Sequence, residues 1–176
     1  MKPQSPKAVK LFTGLLYCDD VVLRAVYQRL SGRFGAIDYE SPEYEFTSTD
    51  YYQPEMGQTL CRRFVSFANL VDPGDLPEIK TATNDIEAAF TVQGKRQVNL
   101  DPGYMDFNKI VLASAKYNSQ KIYLSHGIYA DPTLRYAKGV FLPYEHSFPD
   151  FKLKAYNTTF LEIRNLYKKQ LHRRSR

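Results

Sequence analysis

Residues 7–17, from Lys7 to Tyr17, form a nearly continuous apolar run rich in β-branched and aromatic side chains. A run of that length and kind reads as a strand buried on both faces, in the middle of a sheet. The adjoining residues narrow the fold class. Asp19 and Asp20 are N-cap candidates, Leu23, Tyr27, Leu30 and Phe34 recur at helical spacing, Val22 and Val26 widen the stripe, and Gly35 supplies a stop.

The next elements continue the pattern. Apolar parity shifts between Ile37–Glu40 and Tyr44–Phe46 across Ser41 and Pro42, the mark of a bulged edge strand. From Gln58 to Phe67, Leu60, Arg62, Phe64 and Ser66 share one face and Cys61, Arg63, Val65 and Phe67 the other, so one arginine must point inward. Asp72-Pro73-Gly74 has turn composition, and Ile79, Thr83, Ile86 and Phe90 mark a second helix ending near Gly94. Arg96–Leu100 reads as a fourth strand, closed by a type II turn at Asp101-Pro102-Gly103-Tyr104.

That order predicts an α+β protein with a ferredoxin-like βαββαβ core over roughly the first hundred residues, both helices on one face. A C-terminal extension of short strands and a terminal helix completes the expected chain. Residues 106–116 fit either a helix capped by Asp106 or a strand through Ile110-Val111-Leu112. Tyr123-Leu124, Thr133–Tyr136 and Val140–Leu142 read as short strands, with Ala137-Lys138-Gly139 as a hairpin loop, and Tyr156, Phe160, Ile163 and Tyr167 line the last helix.

At 176 residues one domain is expected, spanning 1–167, with a basic tail at 168–176. The net charge of +5 belongs entirely to Lys168, Lys169, Arg173, Arg174 and Arg176. A terminal tail of this kind is expected to fray, and a neutral body argues against a nucleic-acid channel on the folded surface. No apolar run is long enough to span a bilayer and the start of the chain has no signal-peptide pattern, which predicts a cytoplasmic protein without membrane contact. Cys18 and Cys61 are too few for a disulfide framework and read as reduced, structural thiols, Cys18 lying beside two aspartates that disfavour a thiolate.

Phosphate-cradling loops, metal-ligand spacings and nucleophile elbows are absent from the sequence, so it implies no metal and names no cofactor. Three polar constellations remain. Lys80, Asn84 and Glu87 fall on one helical stripe, either a solvated face or the border of a cleft shared with Arg62 or Arg63 and Arg96. Asn99, Asp101 and Tyr104, with Lys109 and Lys116 beyond them, form either a tight turn or a ligand loop at a strand end. Tyr51-Tyr52-Gln53-Pro54-Glu55-Met56-Gly57 is either a packed connection or a third polar patch.

Several of these stretches, together with Thr49-Asp50, Thr83–Glu87, Asn99–Tyr104, Lys109–Lys116, Ile122–Asp131 and Phe148-Pro149-Asp150, resemble a bacterial family of uncharacterised proteins. It is a domain of unknown function whose members are at times labelled GTP-binding. Gln120-Lys121 stands where His-Arg is expected, and Asp131 where glutamate is usual. Neither a P-loop nor a guanine-reading motif accompanies the label here.

The sequence supports two functional expectations. The first is a cleft that binds a small anionic ligand, a nucleotide being one candidate, through Arg62, Lys80, Asn84, Arg96, Asn99, Tyr104 and Lys116. Were it catalytic, phosphoryl or nucleotidyl transfer would suit it, with Glu87 or Asp101 binding metal or acting as base. The second is a non-enzymatic interaction module whose basic tail contacts RNA or an acidic partner.

Overall fold

A computed structural model describes residues 2–57 and 59–174, the side chain of Arg174 excepted. Strand β1 (Val9–Tyr17) is buried at every position, as its unbroken apolar run requires. Asp19 then caps α1 (Asp20–Phe34) by accepting from the backbone N–H groups of Val21 and Val22. Strands β2 (Ile37–Glu40) and β3 (Tyr44–Glu45) both pair with β4 (Cys61–Val71), with a register shift between Ile37 and Tyr39, so the parity slip is a broken edge. The short helix α2 (Gln53–Met56) lies between β3 and β4.

Helix α3 (Leu76–Ala89) stops before the expected Gly94 because a small hairpin intervenes. Its strands, β5 (Thr91–Val92) and β6 (Lys95–Arg96), are joined by Gln93 and Gly94, both at positive φ. Strand β7 (Val98–Met105) then runs straight through the residues expected to turn. Asp101, Pro102 and Gly103 align with Gly14, Thr13 and Phe12 of β1, so sheet pairing overrides local turn composition.

The ambiguous segment is a strand, β8 (Lys109–Ser114), buried from Ile110 to Ala113. It pairs with β7 only at Gly103, Tyr104 and Met105, which leaves Pro102 just past the end of that ladder, where a missing N–H is harmless. Gly103 permits the close approach: a Cβ there would lie 2.6 Å from the Val111 carbonyl oxygen. Strands β9 (Ile122–Ser125), β10 (Ile128–Ala137) and β11 (Val140–Pro143) come next, joined by two-residue loops at His126-Gly127 and Lys138-Gly139 with all four residues at positive φ. Helices α4 (Pro149–Lys152) and α5 (Asn157–Arg174) complete the chain. The segment expected to fray is helical as far as Arg174, its cations offsetting the helix dipole, and residues 175–176 lie outside the described residues.

The result is α+β, but the sheet is wider than four strands. Nine strands pair antiparallel in the order β11-β10-β8-β7-β1-β4-β2, with β3 also on β4 and β9 also on β10. Two apolar layers flank it. Leu11, Leu15, Val65, Phe67, Val98 and Leu100 pack under α1 and α3. Phe12, Phe64, Met105, Ile110, Leu112, Leu134 and Phe141 pack against Phe151, Tyr156, Phe160 and Ile163 of the C-terminal segment. Each fully buried side chain of this size contributes roughly 1.5–3 kcal/mol. No helix among the described residues is long and apolar enough to cross a membrane.

Candidate functional site

Strand alternation sends Arg62 to the α5 side of the sheet, where Phe64 also points, and Arg63 to the other. Arg62 is 3% exposed. Its guanidinium crosses β1 at Gly14, where a Cβ would stand 3.0 Å from Nη1 and 3.1 Å from the Phe64 ring. Beyond the glycine, Nη1 donates to Asp101 Oδ2 at 2.8 Å and Nη2 to Asp150 Oδ2 at 3.4 Å. The rings of Phe46 and Phe64 lie 5.1 and 5.8 Å from the guanidinium carbon and shield it from water.

From Asp101 the network continues to the surface. Asn99 Nδ2 donates to Asp101 Oδ1 at 3.0 Å, and Arg96 Nη1 donates to Asn99 Oδ1 at 3.0 Å. Arg96 is held in turn by Glu55 of α2, its Nε and Nη2 each donating to one carboxylate oxygen at 2.8 Å. That is the two-pronged geometry a guanidinium offers any planar oxyanion. The side chains of Arg96, Glu55 and Asp101 are 29%, 31% and 29% exposed and form the network's rim.

Helix α3 supplies a second support. Because β8 leaves β7 after three pairs, the outer edge of β7 at Leu100 has no neighbouring strand. Glu87 Oε1 accepts the Leu100 N–H at 2.7 Å, and Lys80 Nζ donates to the Leu100 carbonyl at 2.7 Å. These two side chains stand in for the missing strand, satisfying a backbone pair that would otherwise be buried and unbonded. Glu87 Oε2 also accepts from Arg96 Nη1 at 3.1 Å. With both oxygens engaged and the residue 5% exposed, Glu87 buttresses β7.

Three cations, Arg62, Lys80 and Arg96, thus meet four carboxylates, Asp101, Asp150, Glu87 and Glu55. Burial pushes the Glu87 carboxyl up against the opposing pull of Lys80, and the Asp150 carboxyl up against that of Arg62. Burial acts on Asp101 in the same direction, but Arg62 and Lys80 outweigh it and hold the group below the ordinary carboxylate range. Asp101 is therefore a fixed anion, suited to orienting a cation and poorly suited to abstracting a proton. Hydrogen bonds from Arg96 hold Glu55 low, and burial beside Asp101 pushes Tyr52 up to about 12.

Of the residues singled out by the sequence, Arg62, Lys80, Glu87, Arg96, Asn99 and Asp101 meet in this one network. The turn expected at Asn99–Tyr104 is a strand, and its alternation separates them: Tyr104 faces the Leu76 and Val111 cluster on the α3 side. Asn84 is half-buried on α3 and is not part of the hydrogen-bonded set. Lys116 is exposed, donates to the Tyr51 hydroxyl at 2.6 Å and lies 4.4 Å from that ring's centroid. Its hydrogen bond holds the Tyr51 phenol below its usual range. Cys18 is exposed and Cys61 half-buried, both free.

Glu55 and Asp150 join the network without being candidates on sequence grounds, although the first stands in the Tyr51–Gly57 stretch and the second in Phe148-Pro149-Asp150. A neighbouring cluster joins Lys121, Asp131 and His146. Lys121 Nζ lies 3.4 Å from Asp131 Oδ2 and donates to Ser114 Oγ at 2.8 Å, while Phe148 covers the ammonium at 5.5 Å. Burial pushes Asp131 up against Lys121 and His146. Residues 148–150 therefore touch both clusters. Among the described residues, no group of three or more His, Cys, Asp or Glu side chains could hold a metal ion.

No curated protein and no solved structure matches this chain. A family model does match, over residues 7–167, taking in both clusters and every strand of the large sheet from β1 to β11. The chain accordingly belongs to the family described as Domain of unknown function (DUF4416).

Proposed function

We propose that the rim of the Arg62–Asp101–Arg96 network binds a small anionic ligand, with a nucleotide as the leading candidate. The observation that carries the reading is that Arg96, partly open to solvent, already holds an oxyanion in its fork, the carboxylate of Glu55 from a four-residue helix. A phosphate or carboxylate group can exchange with Glu55 for the same two N–H donors. Lys116 is held by Tyr51 of the same segment, so moving that segment frees a second cation and an exposed ring suited to stacking on a base. Arg62 and Asn99 lie beneath the rim, and Asn99 ties Arg96 to Asp101.

The test is thermal unfolding of the full chain with GTP, ATP and inorganic pyrophosphate, each with and without Mg²⁺. A ligand at 100 times its Kd stabilises by about 2.7 kcal/mol. That stabilisation is expected for at least one phosphate compound and is expected to vanish in Arg96→Gln, while absence of any shift in the natural protein rejects the reading.

A second reading, contact with RNA or an acidic partner through residues 168–176, draws on Lys169 and Arg173, which are exposed on the last turns of α5. Double charge reversal at those two positions separates it from the first, since it should abolish salt-sensitive partner binding and leave nucleotide stabilisation intact. We further propose that β7, β1, β4 and β2 with α1 and α3 constitute a ferredoxin-like core, which the antiparallel order and the helices' common face support. The family resemblance and the free thiols support a bacterial, cytoplasmic setting.

A further inference from the structure

Tyr104 and Lys109 stand apart from the Arg62 network, at the opposite end of β7 from Arg96. Both border a hollow of about 340 Å³ at the end of the sheet where β1 begins, β4 ends and β7 turns into β8. Val9 faces Val71 there and Lys10 faces Met105, so the N-terminal segment, Pro73 and the turn at 106–109 converge on one spot. The volume falls at the small end of the range for ligand pockets, roughly 300–1,000 Å³.

Its walls are braced. Tyr167 of α5 donates its hydroxyl to the Ala8 carbonyl at 2.8 Å, and its ring packs 5.1 Å from that of Phe107. Arg164 donates from Nε and Nη2 to the Phe107 carbonyl at 3.3 and 3.1 Å, and the Asp106 N–H closes the turn onto the Lys109 carbonyl at 3.1 Å. A hollow held open in this way gives up little freedom when a ligand enters.

The charged side chains of the lining are Lys7, Lys109 and Asp106, two cations against one anion. Asp106 is fully engaged: Oδ2 pairs with the Lys109 ammonium, and Oδ1 accepts the backbone N–H groups of Asn108 and Lys109 at 2.7 and 2.8 Å. It offers no idle oxygen to a ligand's cation. Lys7, by contrast, is exposed and has no hydrogen bond or ion pair among the described residues. The Tyr104 hydroxyl has no hydrogen bond among them either, and burial keeps that phenol in its protonated, donating form.

We propose that this hollow is a binding site for a small aromatic carboxylate, its charge answered by Lys7 and the Tyr104 hydroxyl and its ring set against Phe107, Pro6 and Pro73. One unpaired ammonium suits one negative charge, whereas a phosphate dianion calls for more donors than the lining supplies. Flat aromatic and proline surfaces suit a ring better than a branched chain.

Amide correlation spectra of the full chain, titrated with phenylacetate, phenylacetamide, acetate and inorganic phosphate, test the assignment. Phenylacetate should saturably shift the amides of Val9, Asn108 and Lys109 and leave those of Glu55 and Arg96 unmoved, so the result is read separately from nucleotide binding at the Arg96 rim. Phenylacetamide keeps the ring without the charge and should bind roughly tenfold more weakly. Acetate and inorganic phosphate keep charge without the ring and should not saturate. Lys7→Gln, on an exposed segment, should weaken phenylacetate by about the same factor and leave phenylacetamide unchanged. The proposal is overturned by phenylacetate leaving those amides unmoved, by phenylacetamide or inorganic phosphate binding as tightly, or by Lys7→Gln having no effect.

Discussion

Arg62 concentrates the energetic risk of this protein in one side chain. A guanidinium at 3% exposure is tolerable only while its charge is answered, and Asp101 at 2.8 Å answers most of it. Replacing Asp101 by Asn leaves the cation with Asp150 alone, at 3.4 Å, and should lower stability by about 3–5 kcal/mol in urea unfolding. The same substitution predicts a change with pH. The folded-state pKa of Asp101 is depressed, so its contribution is complete above the unfolded value of about 3.9 and disappears as pH falls through the lower folded value. Stability measured across that acid window should therefore fall less steeply in Asp101→Asn than in the natural protein. Much of this residue-scale picture is legible in the sequence. Alternation alone forces Arg62 or Arg63 inward, and the polar residues of α3 and β7 fall on plausible faces. Which carboxylate answers which cation is not legible, because Glu55 and Asp150 come from short connecting segments whose placement obeys no periodicity.

At the scale of elements, β7 shows how pairing outweighs local composition. Asp-Pro-Gly is strong turn chemistry, yet eight consecutive residues of β7 pair with β1 and the turn does not form. The glycine serves a different purpose from the expected one. A Cβ at Gly103 would press on the Val111 carbonyl oxygen at 2.6 Å, on Leu112 at 2.9 Å and on Phe12 at 3.0 Å. Backbone cannot swing aside as a flexible side chain can, so Gly103→Ala should destabilise by roughly 1–3 kcal/mol and speed amide exchange along β8, readable by hydrogen-exchange mass spectrometry. Strand β1, helix α1 and the bulged edge are readable because their patterns are long or strongly punctuated. Loops at Gln93-Gly94, His126-Gly127 and Lys138-Gly139 share a non-glycine residue at positive φ followed by glycine, and only the last stands between two segments that the sequence marks as strands.

For the molecule as a whole, the sheet is a shared wall between two apolar layers, one packed on each face. Phe12 of β1 and Phe141 of β11, far apart in the strand order, both touch Phe160 of α5, at 5.6 and 6.0 Å between ring centroids. That strap couples the early strands to the late ones and predicts a single cooperative unfolding transition. Far-UV circular dichroism and tyrosine fluorescence, usable because the chain has fourteen tyrosines and no tryptophan, should give coincident curves, and separated midpoints would show two units. The passage of Arg62 over Gly14 to Asp101 has one more effect, on fidelity of assembly. Sliding β1 by two positions past β4 and β7 keeps every apolar residue on its proper side, so the oily pattern cannot detect the mistake. The salt link can: after such a slip Phe12 or Leu16 would occupy the gap, and the buried charge would be stranded with no route to its acid. Three strands are thus proofread at once by one contact.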